Sequence, residues 1–414
     1  MGWKVDRKRL LFFLSIVGPG IITANVDNDA GGITTYSLAG AHYGYGLLWS
    51  LIPITALLIM VQEMVARLGV VTGKGLSDLI REEFGVKTTL LVLLALLLTN
   101  LGNIMAEFAG LAASLEILGV NRYIAIPAGG FLVWFLVVKG SYRFVEKVFL
   151  VACTIYLSYI ISGFMAHPAW SGVFKEMVHP QIQLDRSYVM MLIGVVGTTI
   201  APWMQFYQQS SIVEKGIRTK DFRYVRWDVI IGCLMAVVVA FFIVVACAAT
   251  LHVHQIPIRT AEDAAVALAP LAGKYASLLF ALGLANASLF AASILPLSTA
   301  YVICEGMGWE AGINKDFKEA PQFMWLYTGL IILGGGLVLI PKAPLILIML
   351  LSQVINGLLL PFILVFILLL INRVKLMGTF KNSPFYNKVS WAAVGILILL
   401  SLALLWFSVQ ELMA

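Results

Sequence analysis

Two aspartates interrupt the first long apolar segment of the chain. Asp27 and Asp29 lie in the stretch from Val26 to Gly32, between the apolar run Leu10 to Ala24 and a second apolar run that starts at Ile33. Carboxylates at membrane depth are costly and usually face a water-filled cavity or a substrate. The two glycines that end the stretch weaken a helix at this point. The segment predicts a transmembrane helix broken in its middle, and the alternative is an aqueous loop at a helix end.

The composition is typical of a polytopic membrane protein. Hydrophobic residues make up 60% of the chain and charged residues 12%, whereas a soluble domain has about 25% charged residues. The net charge of +6 indicates topology here and not nucleic-acid binding. We expect no cleavable signal peptide, no disulfide framework and no cysteine metal site, because the four cysteines lie in apolar spans without metal-ligand spacing.

Each crossing needs about 20 apolar residues, and the pattern therefore predicts an all-α membrane protein of eleven spans. They form a single transmembrane domain, residues 1–414, with a first repeat at 10–166, a second repeat at 186–372 and an extra helix at 390–412. The predicted spans are 10–36, 47–66, 89–117, 122–139, 144–166, 186–212, 227–250, 264–304, 322–341, 344–372 and 390–412.

The positive charges predict the orientation of these spans. Most of the 28 Lys and Arg residues fall in the connections on the side of the N-terminus. The positive-inside rule then places the N-terminus in the cytoplasm and, after eleven spans, the C-terminus outside a cell membrane. The five histidines fall in the outward-facing loops, so no histidine is expected at membrane depth (His42, His167, His179, His252, His254).

The sixth span carries the second break. Pro202 lies inside the apolar stretch Gly194 to Trp203, and because proline has no N–H, the carbonyl of Thr198 loses its helical partner. A free carbonyl at the midplane can bind a cation, although a simple kink is the alternative. Broken helices at corresponding positions of two repeats indicate the central site of a transporter.

Two further spans carry polar side chains. Glu107 lies within the third span, either at the site or satisfied by neighbouring helices. Gln353 and Asn356 are three residues apart in the tenth span and share a helix face. They either bond adjacent helices together or support the site.

These residues resemble the Nramp family of divalent-metal transporters over nearly the whole chain. The resemblance rests on Gly18-Pro19-Gly20 with Asp29-Ala30-Gly31-Gly32, on the loop Ala66 to Lys74, on Ala106-Glu107, and on Ser352-Gln353-Val354 with Leu360-Pro361-Phe362. It implies a LeuT-type inverted repeat that works by alternating access, and a transporter rather than an enzyme.

Four positions depart from the family pattern. Gly32 stands where the family has an asparagine ligand, and Ala201 and Trp203 stand in place of the Met and His of its Met-Pro-His motif. Ile104 replaces an aspartate beside Glu107. The pattern resembles the branch known as Nramp-related magnesium transporters, which implies Mg²⁺ transport. Restoring Gly32→Asn with Ala201→Met is expected to favour Mn²⁺ or Cd²⁺ over Mg²⁺.

The candidate ligands are all oxygens: the Asp29 carboxylate, the Thr198 carbonyl and the Gln353 amide, with Asn28 bound directly or through water. Asp27 is either a second carboxylate of the site or a charge at the pore entrance. Oxygen ligands suit Mg²⁺ and Mn²⁺, and Mg²⁺ keeps several of its waters. The sulfur of Met204 approaches the site only if the break is placed differently.

Two other transporter functions remain open. One is proton-coupled Mn²⁺ or Fe²⁺ uptake with Glu107 or Asp27 as the proton carrier, and the other is symport of a small organic solute. An intramembrane enzyme is not expected, since the chain has no His-Glu-x-x-His motif. The expected partners are the divalent ion and the lipid bilayer, with no cofactor. A monomer is compatible with the sequence, which does not determine the oligomeric state.

Overall fold

The predicted helical architecture is confirmed by the computed structural model, which describes residues 19–139, 153–180, 182–183, 185–268 and 273–413. No strand occurs in these ranges. In chain order the α-helices are α1 (Pro19–Val26), α2 (Ala30–Tyr43), α3 (Leu48–Thr72), α4 (Leu76–Ile117), α5 (Arg122–Lys139), α6 (Leu157–Met165), α7 (Trp170–Val178), α8 (Arg186–Thr199), α9 (Pro202–Glu214), α10 (Phe222–Cys247), α11 (Ala261–Ala265), α12 (Ala276–Met307), α13 (Pro321–Val338), α14 (Leu345–Ile371), α15 (Val374–Met377) and α16 (Pro384–Met413).

Nine segments of the described ranges are long and apolar enough to cross a membrane. They match nine of the predicted spans, with α8 and α9 together forming the sixth. The other two predicted spans, 10–36 and 144–166, lie partly outside the described residues, which contain α1, α2 and α6 from them. The division of the domain into repeats at 10–166 and 186–372 stays a prediction.

Several boundaries differ from the predicted ones. Helix α4 begins before the predicted third span and changes direction at Gly85. The φ of Gly85 is 81°, a positive value that favours glycine. The eighth span begins at Ala276 rather than near residue 264, since the short helix α11 and a 3₁₀ turn, Val266–Leu268, come before it. Helix α10 continues into one π-helical turn, Ala248–His252.

Contacts at the two ends of the bundle separate the loops into two sets. At one end His42, Tyr188 and His252 line the same cavity of about 470 Å³. At the other end Arg67 binds Glu63 and the loop residue Asn382, and Arg373 binds Glu83. This division agrees with the two sets of loops that the charge pattern predicts.

Two glycines bring α8 and α14 into close contact. A Cβ on Gly197 would overlap the backbone of Gln353 and Gly357, and a Cβ on Gly357 would overlap the Ile193 carbonyl. Small residues permit this close backbone approach in membrane bundles. The contact places the middle of α14 beside the break between α8 and α9.

Candidate metal site

The break in the first span lies between Val26 and Ala30, as predicted. Asp29 is the N-cap of α2, and its Oδ1 accepts a 2.6 Å hydrogen bond from the Gly32 N–H. Asp is a favoured N-cap because its side chain satisfies a backbone donor that has no helical partner. The carboxylate is buried at 4% exposure and lies at the positive end of the α2 dipole.

Glu107 reaches the same helix end from α4. Its Oε2 accepts a 3.2 Å hydrogen bond from the Ala30 N–H, and its carboxyl group is close enough to interact with that of Asp29. Its Oε1 is buried without a hydrogen-bond partner in the described part of the chain. Glu107 therefore lies beside Asp29 at the first break, and its neighbours satisfy its carboxyl group only in part.

Asp27 and Asn28 occupy the non-helical residues of the break. Asp27 is 3% exposed, its Oδ1 has no hydrogen-bond partner among the described residues, and its charge interacts with Asp29. This burial fits a carboxylate of the site better than a charge at a solvent-exposed entrance. The Asn28 Nδ2 donates to the Ala236 carbonyl of α10 at 3.2 Å, so any role as a metal ligand falls to its oxygen.

The second break separates α8 from α9, again as predicted. Ile200 leaves the helical conformation and Ala201 becomes the N-cap of α9, followed by Pro202. Proline fixes its own φ and supplies no N–H, so it starts α9 and leaves the Thr198 carbonyl without that donor. The carbonyl of Ala201 is occupied, since it accepts from the Met204 N–H and from Gln205 Nε2.

The two breaks face each other across Gly32. A Cβ on Gly32 would overlap the Asp27 carbonyl oxygen, would lie 3.1 Å from Thr198 Oγ1 and would lie 3.4 Å from Asp29 Oδ1. Thr198 Oγ1 is buried and has no hydrogen-bond partner in the described ranges. Oxygens from both broken helices therefore converge over the bare Cα of Gly32.

Trp203 and Met204 lie in the first turn of α9. Both side chains are almost completely buried, and the Trp203 carbonyl accepts a hydrogen bond from Ser298 Oγ at 3.4 Å. The Trp203 ring is near that of Tyr207, with the centroids 6.2 Å apart. Met204 is thus packed inside the protein at the start of α9, and the oxygen ligand set stays a prediction.

Gln353 packs against the backbone at the start of α2. A Cβ on Gly31 would overlap the Gln353 Nε2, so only a glycine allows this approach. Asn356 donates to Gln353 Oε1 at 2.8 Å and exchanges two hydrogen bonds with Asn103 of α4. Asn356 thus bonds two helices together, while Gln353 lies beside the break.

Two polar residues near the breaks were not among the sequence predictions. Asn103 lies four residues before Glu107, so the helical period places both on one face of α4, and this spacing was a usable signal. Asp228 of α10 accepts a 2.7 Å hydrogen bond from the Gly20 N–H. Nothing in the sequence linked Asp228 to α1, because the two residues are 208 positions apart.

Three acids lie near the first break, but they do not form a preformed metal cluster. Among the described residues, no group of three or more His, Cys, Asp or Glu side chains is arranged to hold a metal ion. The geometry offers separate oxygens from carboxylates, a hydroxyl, carbonyls and an amide.

Comparison with known proteins decides the family. The model of the Nramp family, described as natural resistance-associated macrophage protein-like, matches residues 20–407. The chain belongs to the Nramp family. The resemblance read from the motifs is thereby confirmed, whereas the magnesium-transporter branch is not specifically supported by the match.

Relatives of this Nramp protein are divalent metal cation transporters named MntH. The protein of Deinococcus radiodurans is 28% identical over 415 residues, which cover 96% of this chain and 90% of the relative. The protein of Klebsiella pneumoniae is 25% identical over 396 residues, covering 94% and 93% of the two chains.

The fold is also that of a solved manganese transporter. The crystal structure of the Eremococcus coleocola manganese transporter matches with a TM-score of 0.80 and 23% identity, and the match covers 98% of this chain and 88% of that one. This Nramp protein is therefore a multi-pass membrane transporter of divalent metal cations with the LeuT-type fold, and not an enzyme.

Proposed function

We propose that this Nramp protein transports Mg²⁺, with Mn²⁺ as a second ion, across the cell membrane in a largely hydrated form and without tight coupling to protons. The site comprises Asp29, Thr198, Gln353 and Asn28 as ligands. Asp27, Gly32, Ala201, Trp203, Asn356 and Glu107 line or support it.

The observation that carries the proposal is the chemistry of the two breaks. The polar groups that meet at Gly32 are oxygens of Asp27, Asp29 and Thr198, and Ala201 begins α9 without a sulfur. Hard oxygen donors suit Mg²⁺ and Mn²⁺, whereas thioethers select softer metals. The nearby sulfur of Met349 accepts a hydrogen bond from Thr34 Oγ1 at 3.4 Å, so it is already engaged on the other side of α2.

Hydration follows from the small residues at the site. Gly32 and Ala201 add neither a ligand nor bulk, and the described residues hold no preformed cluster of metal-binding side chains. Mg²⁺ loses water reluctantly and is usually held by one or two carboxylates with several waters retained. Asp29 supplies the compensating charge, and waters complete the coordination shell.

Weak proton coupling is proposed because histidine is missing from the break. Trp203 occupies the first turn of α9 and is 1% exposed, and Ile104, 0% exposed, faces Gly334 of α13 instead of offering a carboxylate. Neither tryptophan nor isoleucine can bind and release a proton near neutral pH, as the histidine and the aspartate of the family pattern could.

Proton-coupled Mn²⁺ transport is the second candidate function. It is favoured by Glu107, whose unpartnered Oε1 and close approach to Asp29 would suit a proton carrier. The relatives named above are manganese or divalent cation transporters. The two candidates differ in the ion preferred and in whether a proton accompanies it.

Proteoliposomes distinguish them directly. Uptake of Mg²⁺, Mn²⁺ and Ca²⁺ is measured with a fluorescent pH indicator inside the vesicles and with the membrane potential clamped. We expect Mg²⁺ and Mn²⁺ uptake without stoichiometric acidification. Uptake of Mn²⁺ alone, with one proton entering for each ion, would instead establish the second candidate.

A further inference from the structure

We propose that Asn103 and Asn356 are positioning residues that determine which end of the Gln353 amide faces the metal ion. The inference rests on the proposed site at Asp29. It concerns a chain of three amides, Asn103, Asn356 and Gln353, that links α4 through α14 to the break in the first span.

The three amides are isolated from water. Each of the three side chains is 1% exposed. Asn103 Nδ2 donates to Asn356 Oδ1 at 3.0 Å, and Asn356 Nδ2 donates back to Asn103 Oδ1 at 2.9 Å. The same Asn356 nitrogen donates to Gln353 Oε1 at 2.8 Å. Because the three residues are buried, an amide donor that loses its acceptor here costs free energy, and the orientations of the three amides are therefore linked.

This arrangement turns the wrong atom of Gln353 toward a cation. Its oxygen is used by Asn356, while its nitrogen lies against Gly31, one residue from the Ala30 N–H that binds Glu107. An amide nitrogen is a donor without a lone pair to offer, and only the oxygen binds a metal ion. Gln353 must therefore turn its amide by about 180° to become a ligand.

Gln353 cannot turn alone. With its nitrogen toward Asn356, two donors would face each other unless Asn356 also turned and presented its oxygen. Turning Asn356 places its oxygen toward Asn103 Oδ1, so Asn103 must turn as well. When all three turn together, each amide–amide hydrogen bond is kept and only its direction is reversed.

Ser352 favours the arrangement that the structure contains. Gln353 Nε2 donates to Ser352 Oγ at 3.2 Å, and that hydroxyl donates to the Met349 carbonyl at 2.8 Å. The reversed arrangement keeps only one of these two bonds, since the single serine proton can go either to the Met349 carbonyl or to the Gln353 oxygen. An ion bound to Gln353 compensates for that loss, so metal binding and reversal of the chain occur together.

The test is a set of four full-length proteins: wild type, Asn103→Leu, Gln353→Glu and the double variant. Mn²⁺ and Mg²⁺ affinities are measured by titration calorimetry in detergent. Asn103→Leu should weaken binding by about tenfold, the lower end of the loss seen when an outer partner of a metal ligand is removed. In the Gln353→Glu background the same change should have little effect, because a carboxylate presents an oxygen whichever way it turns.

Asn100→Leu is the matched control. Asn100 is a buried asparagine on the same helix, and it donates to Thr299 Oγ1 at 2.9 Å, outside the amide chain. It should leave affinity unchanged in both backgrounds. If Asn103→Leu does not fold, Asn103→Ala replaces it, because the smaller alanine also removes both hydrogen bonds to Asn356 without adding bulk.

The outcomes separate the inference from the proposed function. Equal losses from Asn103→Leu in both backgrounds would mean a merely structural role, and no loss in the wild-type background would remove the positioning role altogether. Either result overturns the inference while the metal site stands. A wild type that binds neither ion would overturn the proposed function itself.

Discussion

Glu107 Oε2 of α4 accepts a 3.2 Å hydrogen bond from the backbone N–H of Ala30, the first residue of α2. Asp29, the residue before Ala30, accepts a hydrogen bond from the Gly32 N–H of the same turn. Two acids from different spans thus share the N-terminus of one half-helix, where the helix dipole favours negative charge. A cation bound at Asp29 also reduces the repulsion between the two carboxyl groups.

The first prediction concerns the charge of Asp29. Asp29→Asn should weaken Mg²⁺ and Mn²⁺ binding by at least about tenfold, or ~1.4 kcal/mol, because it removes the anionic ligand. Asparagine is also a favoured N-cap, so α2 keeps its hydrogen bond to Gly32 and the protein should fold. Titration calorimetry measures the affinity. Glu214→Gln, a charge removal at a partner of Tyr301, is the control and should bind normally.

The second prediction concerns Glu107 and protons. Glu107→Gln keeps an oxygen that can accept a hydrogen bond from the Ala30 N–H. It removes the carboxyl group, and with it the ability to bind and release a proton. We expect Mg²⁺ uptake in proteoliposomes to be insensitive to external pH in wild type and in the variant alike. A wild type that acidifies the vesicle lumen in proportion to ion uptake, with the acidification lost in Glu107→Gln, would contradict weak coupling.

Much of this fold could be predicted because membrane crossings follow local rules. Span length, the aspartates in the first span and Pro202 in the sixth each act within about one helix, and the broken helices were placed correctly from them. The start of the eighth span was wrong, since residues 261–268 form a short α-helix and a 3₁₀ turn that hydropathy does not distinguish from a crossing helix.

The amide chain could not be predicted for a physical reason. Asn103 and Asn356 are 253 residues apart, and their pairing depends on how α4 packs against α14. The close approach of Gln353 to the break depends likewise on Gly31 and Gly197, which look in the sequence like ordinary small residues of a membrane helix. Only the packing shows that the Gln353 side chain occupies the space above Gly31 and that backbone atoms of α14 occupy the space above Gly197.

The third prediction tests that packing. Gly197→Ala places a methyl group against the backbone of α14, which cannot move aside as a side chain can, and overpacking of this kind costs about 1–3 kcal/mol. Gly194→Ala, one turn earlier on α8, is the matched control because its Cβ would meet side-chain atoms no nearer than 3.5 Å. Thermal unfolding in detergent should show a lower midpoint for Gly197→Ala alone. Equal midpoints would mean that the helices are not in close contact.

The fourth prediction concerns orientation in the membrane. The positive-inside rule places Lys220 in the cytoplasm and Ala414, which lies beyond the described residues, outside. Single cysteines at the two positions are treated with an impermeant thiol reagent on intact cells, with Lys175→Cys as the external control. Only the cysteines at 175 and 414 should react. Labelling at position 220 would reverse the assignment.

The proposed ion selectivity rests on Ala201 and Gly32, and of these two positions only Gly32 has no room for a Cβ. The double change Gly32→Asn with Ala201→Met restores both missing family ligands. However, any Cβ at Gly32 would overlap the Asp27 carbonyl oxygen, a backbone atom. Gly32→Asn would therefore distort the break, and a changed ion preference could not be assigned to the amide. Ala201 already carries a Cβ, so it is the position at which a thioether can be added cleanly.

The last prediction is that Ala201→Met shifts the ratio of Cd²⁺ to Mg²⁺ affinity by about tenfold toward Cd²⁺, or roughly 1.4 kcal/mol. A thioether favours soft metals, and its bulk displaces waters that Mg²⁺ retains. Ala201→Leu separates these two effects, since leucine adds similar volume without sulfur. Competitive uptake in proteoliposomes should show weaker Mg²⁺ transport in both variants and stronger Cd²⁺ transport in Ala201→Met alone. If both variants respond alike, cavity volume and not ligand softness sets the preference, and if neither ratio moves, Ala201 does not face the ion.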